Sequence, residues 1–352
     1  MKERPPAAGP PRWTRGRLQS SLFQMSRLAP LPPTPPAARF PTLPDLPEGP
    51  GAPRAVGVEL EFGALAPDAA AELCRGAAGG RVRQVSASEW RVEKSRLGTL
   101  EVYLDTALRP EGTDRAAEMG VAVARQVVPI EIVTAPLPQT RLEEVDALAA
   151  ALAEAGAEGS RAHLVHSFGL HLNVTLADPE TGRDLPRVAR AFALLEDWLR
   201  ARDPLDMSRR VLPFTAPFPP GFRDALVALA PDAPPAALFD LIDAHLSSRN
   251  HGLDLMPAYA HVAPERFARH PAAAGAVAAR PAYHFRQPES RIGEAGWSLA
   301  YDWRRWWLVE RVAADDALAA RLAAAADGAA VTEALGPLAA LAPEGGPAAE
   351  EA

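Results

Sequence analysis

Glu59 and Glu61 lie two apart in Ala55-Val56-Gly57-Val58-Glu59-Leu60-Glu61-Phe62, a spacing that suits chemistry. With period two, Val56, Val58, Leu60 and Phe62 fall on one face of a strand, and Gly57, Glu59 and Glu61 on the other. Alternate positions on one face are roughly 7 Å apart, so the carboxylates stand side by side. Nothing local in the sequence neutralises them. Turned inward without partners they would be costly, which directs the search to cations and metal ions. Turned outward they are an ordinary solvated strand face.

Three more segments repeat the design. Glu131 sits between Ile130 and Ile132. His171 and Asn173 alternate with Leu170, Leu172 and Val174. His284 and Arg286 alternate with Tyr283 and Phe285. In one sheet, these strands give an apolar face for helices and a polar face of carboxylates, imidazoles and a guanidinium. Glu with His suits divalent metals, and Arg suits a phosphate or carboxylate. Metal ions on phosphate oxygens, with an Arg on the transferring group, are the parts of phosphoryl transfer. Taken singly, His171 reads as a hydrogen-bonded structural histidine and Arg286 as half of a surface ion pair. His163-x-x-His166 with His171 raises a zinc hydrolase, but in a strand His163 and His166 point to opposite faces. Ser95 and Ser290 lack a nucleophile elbow and an adjacent His.

The elements that must position these groups follow from local pattern. Residues 67–78 read as an Ala-rich helix, 90–93 and 99–104 as strands, 113–126 as a helix and 127–133 as a strand. Thr140 with Glu143 forms a capping box. It opens a helix with Leu142, Val145, Leu148 and Leu152 inward, ended by Gly156. A strand at 169–174 precedes an amphipathic helix at 186–201. The Pro-rich span 204–221 is a long loop. Further helices are expected at 234–247 and 298–313. The last carries Trp303, Trp306 and Trp307, read as helix packing and interface rather than a ligand cage, with Arg304, Arg305 and Arg311 on a solvated face. Irregular interleaving of strands and helices indicates α+β with a curved, largely antiparallel sheet, a concave polar face and helices on the other.

Composition bounds the function. The 352 residues suffice for a sizeable core. A formal charge of -7 argues against a nucleic-acid-binding body. The single cysteine, Cys74, excludes an internal disulfide framework and a cysteine zinc site, and fits a cytoplasmic setting. It lies in a helical Ala-rich pattern and reads as core. No apolar run is long enough to cross a membrane. Residues 1–50 are a Pro/Arg-rich leader expected to be disordered, 51–313 the catalytic body, and 314–352 an Ala-rich tail.

The order Gly57–Phe62, Trp90–Ser95, Glu131-Ile132-Val133-Thr134-Ala135-Pro136-Leu137, Gly169-Leu170-His171-Leu172-Asn173-Val174 resembles the amidoligase family. That family is similar to carboxylate–amine ligases of the glutamine synthetase and γ-glutamylcysteine synthetase fold. The likeness spans about residues 54 to 311. It implies an ATP-dependent ligase that phosphorylates a carboxylate and lets an amine attack the acyl phosphate. By position it implies metal ligands Glu59, Glu61, Glu131, His171 and His284 for Mg2+, with Mn2+ as the alternative ion. It implies catalytic roles for Arg286, Glu61 and Glu131, and nucleotide contacts from Asn173, Arg286 and Arg291. The fold holds ATP against its sheet, so no Gly-x-x-x-x-Gly-Lys loop is needed. His284 stands where the resembling ligases carry a ligand Glu, Glu93 where an Asp is usual, and Asp254 where an Asn is expected in the segment Arg249 to Leu255. Residues 96–127 look like an insertion. Peptide or small-molecule carboxylates and amines are the implied substrates, with a glutamine amidotransferase as an ammonia-supplying partner. The alternatives are a metal-dependent amide hydrolase, which needs no ATP, and an inactive relative acting as a binding protein.

Overall fold

Alternating apolar and polar residues become a largely antiparallel, open sheet with helices packed on it, an α+β arrangement. The computed structural model describes residues 39–49, 51, 54–104, 129–160, 168–205, 215–275 and 277–343. The strands are β1 (Ala55–Phe62), β2 (Arg81–Gln84), β3 (Glu89–Ser95), β4 (Gly98–Leu104), β5 (Ile130–Thr134), β6 (Leu137–Pro138), β7 (Leu170–Thr175), β8 (Leu253–Asp254) and β9 (Ala282–Phe285). They order as β2-β3-β4-β5-β1-β7-β9-β8, with β6 beside the start of β1. The paired strands run antiparallel.

Side chains alternate across a strand, so one register assigns both faces. Trp90, Val92, Leu100, Val102, Ile132, Leu60, Leu172 and Phe285 fall on the buried apolar face. Helix α1 (Pro67–Ala78) packs against β3 and β4, and α2 (Leu142–Glu154) against α1. Helix α3 (Leu185–Arg202) packs on α8 (Leu299–Ala313). On α8, Trp306 meets the rings of Tyr283 at 5.2 Å and Phe285 at 5.5 Å, which ties this helix to β9. Arg54, at the entry to β1, forms a buried two-pronged ion pair with Glu310 of α8. Between and after these lie α4 (Pro220–Ala228), α5 (Pro235–His245), α6 (Met256–Val262), α7 (Pro264–Phe267), α9 (Asp316–Ala323) and α10 (Gly328–Leu335). Cys74 is fully buried in the core, and burial pushes its thiol up to about 12.

Several expectations change. The Thr140–Glu143 capping box does not form: Gln139–Arg141 is a 3-10 turn and α2 starts at Leu142 without a side-chain cap. Arg141 instead grips Glu144 with two hydrogen bonds of 2.7 and 2.8 Å. Arg304 and Arg305 are buried rather than solvated, because the segment after α10 lies over them. Arg304 donates to the Leu341 carbonyl, and Arg305 donates to the Pro343 carbonyl while stacking 3.6 Å over the Tyr301 ring. Residues 39–49, on the leader side of the expected boundary at 50, pack on the body. Leu43 and Leu46 are buried, and the Trp303 and Trp307 indoles donate to the carbonyls of Pro41 and Thr42. Residues 1–38, the helix expected at 113–126, His163, His166, residues 206–214 of the Pro-rich loop and residues 344–352 lie outside the described residues.

Candidate functional site

The polar face is built row by row from the strand register. Glu61 of β1 stands opposite Glu131 of β5, and Glu131 opposite Tyr103 of β4. Glu59 stands opposite His171 of β7. Asn173 stands opposite Gly57 on one side and His284 of β9 on the other, and His284 opposite Asp254 of β8. Gly57 leaves room in this row: a Cβ there would touch the Asn173 Cβ at 3.4 Å. Four strands, β5, β1, β7 and β9, thus bring Glu59, Glu61, Glu131, His171, Asn173 and His284 onto one face.

Glu59 is the hub. Its Oε2 accepts from His171 Nδ1 at 2.8 Å, and its Oε1 accepts from Asn173 Nδ2 at 2.8 Å and Arg280 Nη1 at 3.5 Å. His284 Nε2 lies 3.5 Å from the same Oε2. Burial raises the Glu59 pKa, but the hydrogen bond from His171 and the closeness of the two imidazoles outweigh it and hold the carboxyl well below its ordinary value. Burial pulls His171 down, against the opposing pull of Glu59 and Glu61, so the ring is neutral at pH 7. A neutral His171 that donates from Nδ1 keeps its Nε2 lone pair for a ligand. Glu61 Oε2 accepts from the Gly169 backbone N–H at 2.6 Å.

Among the described residues, two groups share His171, the ligand atoms within each lying no more than 4.8 Å apart: Glu59 with His171 and His284, and Glu61 with Glu131 and His171. The His171 and His284 rings meet edge to face, 5.1 Å between centroids. Both groups fit a divalent ion. Their donors are carboxylate oxygens and imidazole nitrogens, and the buried His284 Nε2 has no hydrogen-bond partner among the described residues.

Among the described residues, three guanidiniums border the face. Arg280 reaches Glu59, and Arg249 reaches Asp254 at 2.9 Å and His284 Nδ1 at 3.5 Å. Arg286 follows β9 directly and donates to the Arg249 carbonyl and Asn250 Oδ1, both at 3.4 Å. Burial lowers its pKa and Arg249 adds to this, while Asp254, Glu59 and Glu61 oppose. Guanidinium stays protonated regardless.

Arg291 goes elsewhere. It is 1% exposed, donates to Asp203 at 3.0 Å and to Glu294 at 2.7 Å, and lies 5.2 Å from the Tyr301 ring. Two carboxylates take up its guanidinium, so it is a structural cation under α8 and not one of the groups around Glu59. The sequence reading passed over Arg280 and named Arg249 and Asp254 only in a segment pattern. Arg280 precedes β9 and β8 has two residues, so neither offered a period to read. A groove of about 610 Å³ between α3, α4 and α9–α10, with Trp198, Arg223 and Val331 in its walls, contains none of the face residues.

A family model described as "Putative amidoligase enzyme" matches residues 52–308. No curated protein and no solved structure gives a significant match.

Proposed function

The chain belongs to the amidoligase family, and from that premise we propose that it joins a carboxylate to an amine with ATP as phosphoryl donor. One observation carries the ATP-dependent form of this reading. The same face that gathers two metal-capable groups is bordered by Arg249, Arg280 and Arg286. A hydrolase needs a metal-bound water, but it has no use for three guanidiniums beside the carboxylates. A polyphosphate does.

In this reading the carboxylate substrate attacks the γ-phosphorus, the bond to the ADP oxygen breaks, and an acyl phosphate forms. The amine nitrogen then attacks the acyl carbon, inorganic phosphate leaves, and the amine proton passes to a carboxylate of the face. Divalent ions held by Glu59, Glu61, Glu131, His171 and His284 would neutralise phosphate charge when bound. Arg286 donates to the transferring phosphoryl group, where its planar fork fits developing charge on two oxygens. Arg280 and Arg249 attract and orient the polyphosphate. Asn173, held by Glu59, adds a neutral donor. Glu61 and Glu131 stand opposite each other and take the amine proton. The glutamine synthetase-like fold, a cytoplasmic setting and an amidotransferase partner belong to the same proposal. Among the described residues, no helix is long and apolar enough to cross a membrane.

The test is 18O transfer. With both carboxylate oxygens of candidate acids labelled, ATP, an amine and Mg2+, one 18O should appear in phosphate for each amide formed. Amide formation without labelled phosphate removes the acyl phosphate. Amide cleavage in the absence of ATP identifies a hydrolase instead.

A further inference from the structure

We infer that Asp254 is a positioning residue that fixes the tautomer of His284, and that the group it completes with Glu59 and His171 is a site for a transition-metal dication, tested with Mn2+, in preference to Mg2+. This rests on the metal-binding part of the proposed function and is independent of its ATP chemistry.

Asp254 is 1% exposed and held from three sides. Its Oδ1 accepts from the Met256 backbone N–H at 3.0 Å, and its Oδ2 accepts from Arg249 Nη2 at 2.9 Å and Nε at 3.0 Å. His284 Nδ1 lies 3.2 Å from Oδ2. A carboxylate only accepts, so this contact puts the ring proton on Nδ1. Arg249 Nη2, at 3.5 Å from Nδ1, is farther away and is already donating to the same carboxylate. The Nε2 lone pair of His284 therefore faces the site.

At that position Nε2 is buried without a hydrogen-bond partner, 3.5 Å from Glu59 Oε2. Two acceptors facing each other at that distance repel. An ion between them turns the repulsion into two bonds. Metal–ligand distances of about 2.0–2.2 Å put neighbouring donor atoms about 3.0–3.5 Å apart. A carboxylate that orients a metal-binding His through its other ring nitrogen is a recurrent outer-shell device. The donor set then sets the ion. Glu59, His171 and His284 offer one carboxylate and two imidazoles, whereas Glu61, Glu131 and His171 offer two carboxylates and one imidazole. Carboxylate suits Mg2+ and Mn2+ alike, whereas imidazole favours transition-metal ions, of which Mn2+ is the weakest binder, over Mg2+. The two groups thus differ in the ion they prefer, although they share a residue.

Asp254→Asn tests the tautomer directly. Arg249 holds Oδ2 with two donors and Met256 N–H holds Oδ1, so one amide oxygen cannot serve both, and in either orientation the neutral amide holds the Nδ1 proton less firmly than the carboxylate does. A share of the ring then passes to the Nε2–H tautomer, and that share has no lone pair for the site. The chelator-stripped full chain is titrated with Mn2+ and read by electron paramagnetic resonance, then competed with Mg2+. The parent should bind Mn2+ at least tenfold more tightly than Mg2+. Asp254→Asn should weaken Mn2+ about 10–100-fold and change Mg2+ less than twofold. If Asp254→Asn does not fold, His284→Ala carries the same expectation, with metal-free melting checking the fold. Parental Mn2+ affinity in a folded variant, or equal loss of both ions, overturns the inference. Unchanged Mn2+ binding beside intact 18O transfer sinks this inference alone. The Mn2+ pattern without ADP formation sinks the ligase reading alone.

Discussion

Replacing Glu59 and Glu61 by glutamine should separate two carboxylates that look equivalent in β1. As a bare pair, both would gain stability when neutralised, because their repulsion is relieved. The neighbours reverse this for Glu59. It accepts from His171 and Asn173 at 2.8 Å each and is approached by Arg280 at 3.5 Å. Charge-assisted hydrogen bonds contribute about 1.5–3 kcal/mol and neutral ones about 0.5–1.5 kcal/mol, so neutralising the acceptor costs about 1 kcal/mol per bond. The amide must also offer NH2 to His171 Nδ1, which forces the ring into its other tautomer. Glu59→Gln should therefore cost about 2 kcal/mol without metal. A chain of this size loses roughly 1–2 °C in Tm per kcal/mol, giving a drop of roughly 2–4 °C. Glu61→Gln keeps an oxygen for the Gly169 N–H and removes the like charge opposite Glu131. Relief of about 0.2–1 kcal/mol offsets the weakened bond, so its Tm should hold. Calorimetry in chelator at pH 7.5 measures both. The sign with pH is fixed as well. The Glu59 pKa is depressed on folding, so its contribution is present above the unfolded value of about 4.3 and fades as pH falls through the folded value. The gap between parent and Glu59→Gln should close in acid. A Glu59→Gln protein that melts with the parent at pH 7.5, or a Glu61→Gln protein that falls equally, refutes the assignment of Glu59 as hub. Added Mg2+ or Mn2+ should raise the parental Tm more than that of either variant.

Arg286→Ala should cut kcat by about 10²-fold or more with little change in nucleotide affinity, since the proposed contact strengthens in the transition state; Arg286→Lys should recover only part of it, and steady-state kinetics showing a change confined to apparent ATP affinity would exclude the role. Asp302 is pushed up to about 7 by burial, with Arg305 opposing and Asp203 adding, so a folded carboxyl holds its proton where an unfolded one at about 3.9 has lost it. Parental stability should thus fall by up to about 4 kcal/mol from pH 4 to pH 7, and Asp302→Asn, which keeps the 3.0 Å acceptor for the Trp297 indole, should flatten that slope in denaturant melts at the two pH values. A chain starting at Ala52 loses the buried Leu43 and Leu46 and both indole bonds, so it should be destabilised by about 3 kcal/mol or more; an unchanged Tm would show that residues 39–49 contribute nothing.

Sequence alone was enough for whatever obeys a short period. Alternation in β1 and β7 depends on bonds between neighbouring residues. It placed Glu59 with Glu61, and His171 with Asn173, before any strand pairing was known. The helices at 67–78 and 298–313 were legible for the same reason, with 3.6 in place of two. Which groups meet was not legible, because partner and register are set by packing of the whole sheet. Only the fold put Glu59 opposite His171 and Glu61 opposite Glu131, and so gave one carboxylate a set of donors and the other a like charge. Asp254 and Arg280 join the site from a two-residue strand and a strand entry, too short to carry a pattern. The arginines were the least readable. A guanidinium looks the same in sequence whether water, a carboxylate or a returning chain covers it. Asp203 with Glu294 claimed Arg291, and the carbonyls of Leu341 and Pro343 claimed Arg304 and Arg305, because distant segments came to rest on them.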